Sequence, residues 1–221
     1  MIKMCLFDWL GDNGEWIASI IGVGISCIAL IQTKKQQLIS NKHALFEKRL
    51  EVYTALHALV ETYEKNKHFF KDLYSASEQL ESRSIFLILT SSSLFFDIGS
   101  ILDERPRGKY PKRLITELNL LSEKANCIQF LFDKEKFHTV TEYISTYIAL
   151  LWDTFLYFNL MESAKEEALE KGCRIDTMTE RKDEEKLRKT WFEKLTKLDQ
   201  LCDEIISDNL VIKMADEIKI N

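Results

Sequence analysis

Trp16-Ile-Ala-Ser-Ile-Ile-Gly-Val-Gly-Ile-Ser-Cys-Ile-Ala-Leu-Ile-Gln32 carries no charge and is bracketed by Glu15 and by Lys34-Lys35. Coiled as an α-helix it spans about 25 Å, the short end of what a bilayer core requires. The run therefore predicts a transmembrane helix over 16–32. Trp9 and Trp16 suit one membrane interface, where an indole is half wet. Lys34 and Lys35 can snorkel at the other. Before the run stand Lys3 against Asp8, Asp12 and Glu15; after it stand Lys34, Lys35, Lys42, Lys48 and Arg49 against Glu47. Positive charge stays cytoplasmic, so residues 1–15 are expected outside and 33–221 in the cytoplasm, a single pass. A secretory signal would want the opposite flanks and a small-residue cleavage site; here the chain runs into Gln32-Thr-Lys-Lys-Gln-Gln37.

Within the run, Ala18, Gly22 and Ser26 recur every four residues on one helix face. Small residues at that spacing let two backbones approach closely. One reading is homo-oligomerisation through the membrane; the other is that short anchors contain small residues by chance. The lipid bilayer and further copies of the chain are the first expected partners.

The 221 residues are 46% hydrophobic and 29% charged with only 7 Gly and 2 Pro, a folded composition too poor in turn residues for a strand-rich fold. The expected class is all-α: the transmembrane helix continuing into a cytoplasmic bundle of about five long helices. From Thr33 to about Leu80 there is neither Pro nor Gly, and Phe46, Leu50, Tyr53, His57, Val60 and Tyr63 form a stripe on a helical period. Ser84–Leu102 is nearly as apolar as the anchor. It reads as a buried core helix in preference to a second membrane span, because Asp97 is costly in lipid. Residues 104–111 hold both prolines and form a loop. A helix follows over Pro111–Asp133, with Leu114, Leu118, Leu121, Ala125, Ile128 and Leu131 on one face. Another spans Phe137–Lys171 with an aromatic core stretch around Trp152, capped by Gly172 and followed by a loop over 173–179. The last, Glu180–Ile218, has a stripe of Leu187, Trp191, Leu195, Leu198, Cys202, Ile205 and Ile206.

Signatures of chemistry are missing. The close glycines Gly22 and Gly24 lie in the anchor, so no phosphate-cradling loop is expected. His57 and Glu61 share a helix face, but two ligands do not make a metal site, and no metal or other cofactor is expected. The five cysteines are scattered without CxxC spacing, which suits reduced thiols. Helical nucleases of the HEPN kind carry an Arg followed four to six residues later by His; Arg49 and His57 are too far apart. The chain is therefore not expected to be an enzyme. The basic run from Lys34 to Arg49 reads as an orientation signal and solvated collar. The net charge of −5 makes nucleic acid an unlikely partner.

Ala44-Leu-Phe-Glu-Lys-Arg-Leu-Glu-Val-Tyr53, placed just after the span, resembles a helix found in small bacterial membrane proteins with one span. The likeness covers about the first sixty residues. In layout the chain is similar to the HEPN-like membrane accessory proteins of Cas13b-type CRISPR systems. That resemblance implies a bacterial inner-membrane protein whose oligomer forms a pore or perturbs the membrane in antiphage defence. A different class of function is an anchored scaffold that recruits an unidentified cytoplasmic protein through its charged last helix. A third is an anchored nuclease.

Overall fold

The computed structural model describes residues 2–75, 82–99, 101, 111–171 and 178–219. All its regular structure there is helical: α1 (Ile2–Ser75), α2 (Ser82–Leu89), a 3-10 turn (Ser93–Phe95), α3 (Phe96–Gly99), α4 (Lys112–Leu131), α5 (His138–Lys171), α6 (Met178–Ser207) and α7 (Leu210–Ile218). The chain divides into two compact units, Met1–Glu47 and Lys48–Asn221.

The first unit is helical from Ile2, well before the expected start at Trp16. Its apolar side chains find no cover within it. Among the described residues, no helix is long and apolar enough to cross a membrane. The segment 16–32 is only partly among them, because the side chains of 17, 18, 20 and 21 lie outside the described set.

The second unit is a helical bundle with α5 at its centre, packed against α2, α4 and α6, while α7 packs on α6. Val140, Tyr143, Ile144, Tyr147, Leu150, Leu151 and Phe155 of α5 are all essentially inaccessible to water. A helix that is apolar on several faces must be covered on several faces, and this one is. The predicted stripe of α4 is buried at Leu114, Leu118, Leu121, Ala125 and Ile128, while Leu131 at its end is only partly covered. The stripe of α6 also holds at Trp191, Leu195, Leu198, Cys202 and Ile205, whereas Ile206 is exposed.

Three expectations are corrected. The stripe on α1 holds at Val60 and Tyr63 but is displaced before them: Val52, Ala55, Leu56 and Leu59 are buried, while Leu50 is exposed. His57 is exposed, and Phe46 and Tyr53 are only partly covered. Two apolar sets with helical spacing overlap on this helix, and packing against α5 and α6 selects one. Ser84–Leu102 is not one helix either. α2 ends at Leu89, and the chain turns through Thr90–Ser92 before the 3-10 turn and α3. Ile85, Phe86, Leu89, Phe95, Ile98 and Ile101 are buried, so the core reading stands with a broken element. An α-helix of 8 residues is about 12 Å long, far short of a bilayer, so α2 does not span one. The Tyr147 hydroxyl donates to the Leu89 carbonyl at 2.7 Å, which satisfies an acceptor left open where α2 stops. Asp97 lies outside the residues whose side chains are described, as do Gly172 and most of the loop at 104–111.

The third correction is a break in the last helix. Asn209 takes φ 55 and ψ 36, the left-handed region, and separates α6 from α7. Ser207-Asp208-Asn209 is a run of residues that hydrogen-bond locally in competition with helix, and Asn tolerates positive φ best after Gly. The turn lets Leu210, Met214 and Ile218 face the core. Asn209→Ile is expected to destabilise by about 1–2 kcal/mol, while Asn209→Gly holds or gains stability. Paired thermal melts check the ordering; an Ile variant as stable as the parent would remove the strain argument.

Candidate functional site

Two regions carry the residues singled out by the sequence: the apolar helix of the first unit, and a set of polar ties inside the second.

In the first unit Val23 is 64% exposed, Ile25 62%, Ile28 59%, Leu30 64% and Ile31 67%. At about 100° per residue these positions cover more than half of the helix circumference and leave open the side that carries Gly22, Ser26 and Ala29. Gly22 lies on the predicted small face, and a Cβ built there meets nothing within 4 Å. Ser26 donates its hydroxyl to the Gly22 carbonyl at 2.8 Å, and Thr33 does the same to Ala29. The hydroxyls are thus satisfied within the helix and add little polarity to its surface. Trp16 is 70% exposed, and Lys34 and Lys35 are exposed. Trp9 and Ala18 lie outside the residues whose side chains are described. Of the small-residue face, the structure therefore places Gly22 and Ser26.

The polar ties of the second unit were not legible as such. Arg49 read as a collar charge. Its Nε donates to the Leu131 carbonyl at 2.8 Å and a terminal nitrogen donates to the Glu217 carbonyl at 2.8 Å. Its guanidinium also lies 5.5 Å from the Phe132 ring centroid. Leu131 ends α4 and Glu217 is near the end of α7, so one cation serves acceptors at two helix C-termini. Nearby, Lys136 pairs with the Glu217 carboxylate.

A second tie joins α1 to α6. Lys67 contacts Asp199 at 2.9 Å and also pairs with Asp203, while the Tyr63 hydroxyl donates to Asp199 at 3.3 Å. The Cys202 thiol donates to Glu64 at 3.6 Å. Burial, then the charge of Glu64, pushes the Cys202 thiol up to about 12. A thiol held protonated is a poor nucleophile and a poor metal ligand. Burial acts to lower the Lys67 pKa, but hydrogen bonds to Asp203 and Asp199 outweigh it and hold the ammonium charged. This group is therefore arranged as a cross-link between α1 and α6.

His57 Nδ1 lies 3.9 Å from Glu61, with both side chains about half exposed. Lys65 takes the same carboxylate at 2.6 Å, and that hydrogen bond lowers the Glu61 pKa. Among the described residues no group of His, Cys, Asp and Glu is arranged to hold a metal ion. On the charged α6, Lys194 pairs with Asp153 and Lys197 with Glu142, both on α5. Together with Asp199 and Asp203 these charges are engaged within the bundle.

No protein-family model, curated protein or solved structure matches this chain.

Proposed function

We propose that the chain is a membrane-anchored helical effector. Its anchor, residues 16–32, associates with further copies of itself and so forms a pore or perturbs the bilayer. One observation carries the reading: the uncharged stretch 16–32 of α1 exposes Val23, Ile25, Ile28, Leu30 and Ile31 around more than half of its circumference, with Gly22 and Ser26 on the remaining side. Exposed apolar side chains spread this widely around an uncharged helix call for a surrounding apolar medium, and hydrocarbon supplies one without a dedicated groove. The flanking charges orient the second unit toward the cytoplasm. Association is carried by the small face, where Gly22 and Ser26 offer little side-chain bulk. The bacterial, antiphage setting rests on the resemblance of Ala44–Tyr53 and of the layout alone.

The test is the mass of the full chain solubilised in mild detergent, measured by light scattering. A particle several times 25.9 kDa is expected. Because a side chain at Gly22 meets nothing inside the chain, Gly22→Leu is expected to reduce the assembly to small species without unfolding it. A monomeric wild-type particle would remove the pore reading, and a full-sized Gly22→Leu particle would remove the small face as its basis.

A further inference from the structure

Beyond the bilayer segment, the same helix keeps one face free of charge. Gly22, Ala29, Gln36 and His43 are spaced by seven, and Ile25, Gln32, Ile39 and Phe46 follow each of them by three. This is the alternation of the two core positions, a and d, of a coiled coil. The charged residues between 22 and 47 are Lys34, Lys35, Lys42 and Glu47, and every one falls off that seam. Ile25 and Ile39 on it are 62% and 48% exposed.

A second apolar stripe exists at Ile31, Leu38 and Leu45, also spaced by seven. Completing it as a seam by steps of three takes in Lys34, and by steps of four Lys35 and Lys42. Repeated cations at core positions oppose association, so this stripe is the poorer choice.

We infer that residues 22–47 form a parallel, in-register self-association seam, a second copy of this chain being its occupant. Charge pattern and anchoring agree on the orientation. In the register above, Lys42 takes position g and Glu47 the e position five residues on. These are the two positions that face each other across a parallel pair. An antiparallel pair would set the g-position cations Lys35 and Lys42 against like charges. Copies anchored in one membrane in one orientation can only meet in parallel. Gln32, Gln36 and His43 are polar without fixed charge, which suits a seam that specifies register at some cost in strength. The seam deepens the oligomer reading and rests on it, extending the contact past the small face of the anchor.

The experiment is cysteine cross-linking of the full chain in membranes, with Cys5, Cys27, Cys127 and Cys173 replaced by Ser, the buried Cys202 kept, and copper-phenanthroline as oxidant. Gln36→Cys, Ile39→Cys and His43→Cys are expected to give disulfide dimers at roughly fivefold the yield of Leu38→Cys and Leu45→Cys, because a disulfide needs its Cα atoms within about 7 Å. Adding Glu47→Lys is expected to lower the Ile39→Cys yield roughly fivefold, and adding Lys42→Glu to that chain restores it. Equal yields at all five positions, or preference for Leu38 and Leu45, would overturn the seam. A Glu47→Lys change without effect would overturn the register. Recovery in the membrane fraction without the pattern defeats the seam alone. The pattern in a chain recovered outside the membrane fraction defeats the anchor reading and leaves the seam standing.

Discussion

Replacing Arg49 with Met is expected to lower the stability of the bundle by about 3 kcal/mol and its melting temperature by roughly 6–12 °C. The last carbonyls of a helix have no intrahelical donor, and they gather the negative end of the helix dipole. Arg49 answers this at two places with hydrogen bonds of 2.8 Å, to Leu131 at the end of α4 and to Glu217 near the end of α7. A hydrogen bond to a charged donor contributes about 1.5–3 kcal/mol, and the pair shares one partly buried side chain, so the lower half of the summed range is appropriate. Met retains most of the methylene packing beside Phe132 and removes the donors. Arg49→Lys is expected to recover little, because a single ammonium cannot reproduce a planar fork directed at two separate acceptors. Circular-dichroism melts of the intact protein decide it. A Met variant melting within a degree or two of the parent would show that water serves these carbonyls equally well.

The second large effect is alkaline. Burial first, then the charge of Asp199 beside it, raises the Tyr63 pKa, and burial likewise raises those of Tyr143 and Tyr147. Cys202 is pushed from 9.0 up to about 12, and Lys67 is also raised. All five groups hold their protons more tightly folded than unfolded. Their contribution is therefore complete below the unfolded values and is lost as pH rises. Cys202 titrates first: between about pH 9 and 12 it removes roughly 1 kcal/mol per pH unit, with the tyrosines and Lys67 adding to the loss above about pH 10. The urea midpoint is expected to fall steadily above pH 9. Cys202→Ala costs stability at neutral pH but delays the onset of that fall to about pH 10. An unchanged onset in the Ala variant would mean that the thiol does not titrate with unfolding.

The contrast between α4 and α1 shows how far the sequence could be read. On α4 a single apolar set has helical spacing, and it is the set that is buried. On α1 the residues Phe46, Leu50, Tyr53 and His57 and the residues Val52, Ala55, Leu56 and Leu59 both have it. Periodicity cannot rank two such sets; the second is the buried one, on the segment where the Tyr143 hydroxyl of α5 donates to the Leu59 carbonyl and Tyr63 donates to Asp199 of α6. Breaks were harder than stripes. Ser91-Ser92-Ser93 interrupts the apolar run of Ser84–Leu102, but the turn at Thr90–Ser92 needs the core around Tyr147 to fix it. The left-handed Asn209 is one residue in an otherwise helical pattern. Of the candidate site, the uncharged run and its small face were legible because they are local. Arg49 was legible only as a charge.

By itself the sequence determined that the chain is helical, where its uncharged run lies, and which residues flank it with charge. These follow from spacing and composition within a few turns of helix. Only the tertiary structure decided which face of α1 is core and what Arg49 does, since its acceptors lie 82 and 168 residues away. It likewise decided that Cys202 is a buried, protonated partner of Glu64, at a separation of 138. A side chain's partner across such distances is set by how helices pack, and no local pattern in the chain encodes it.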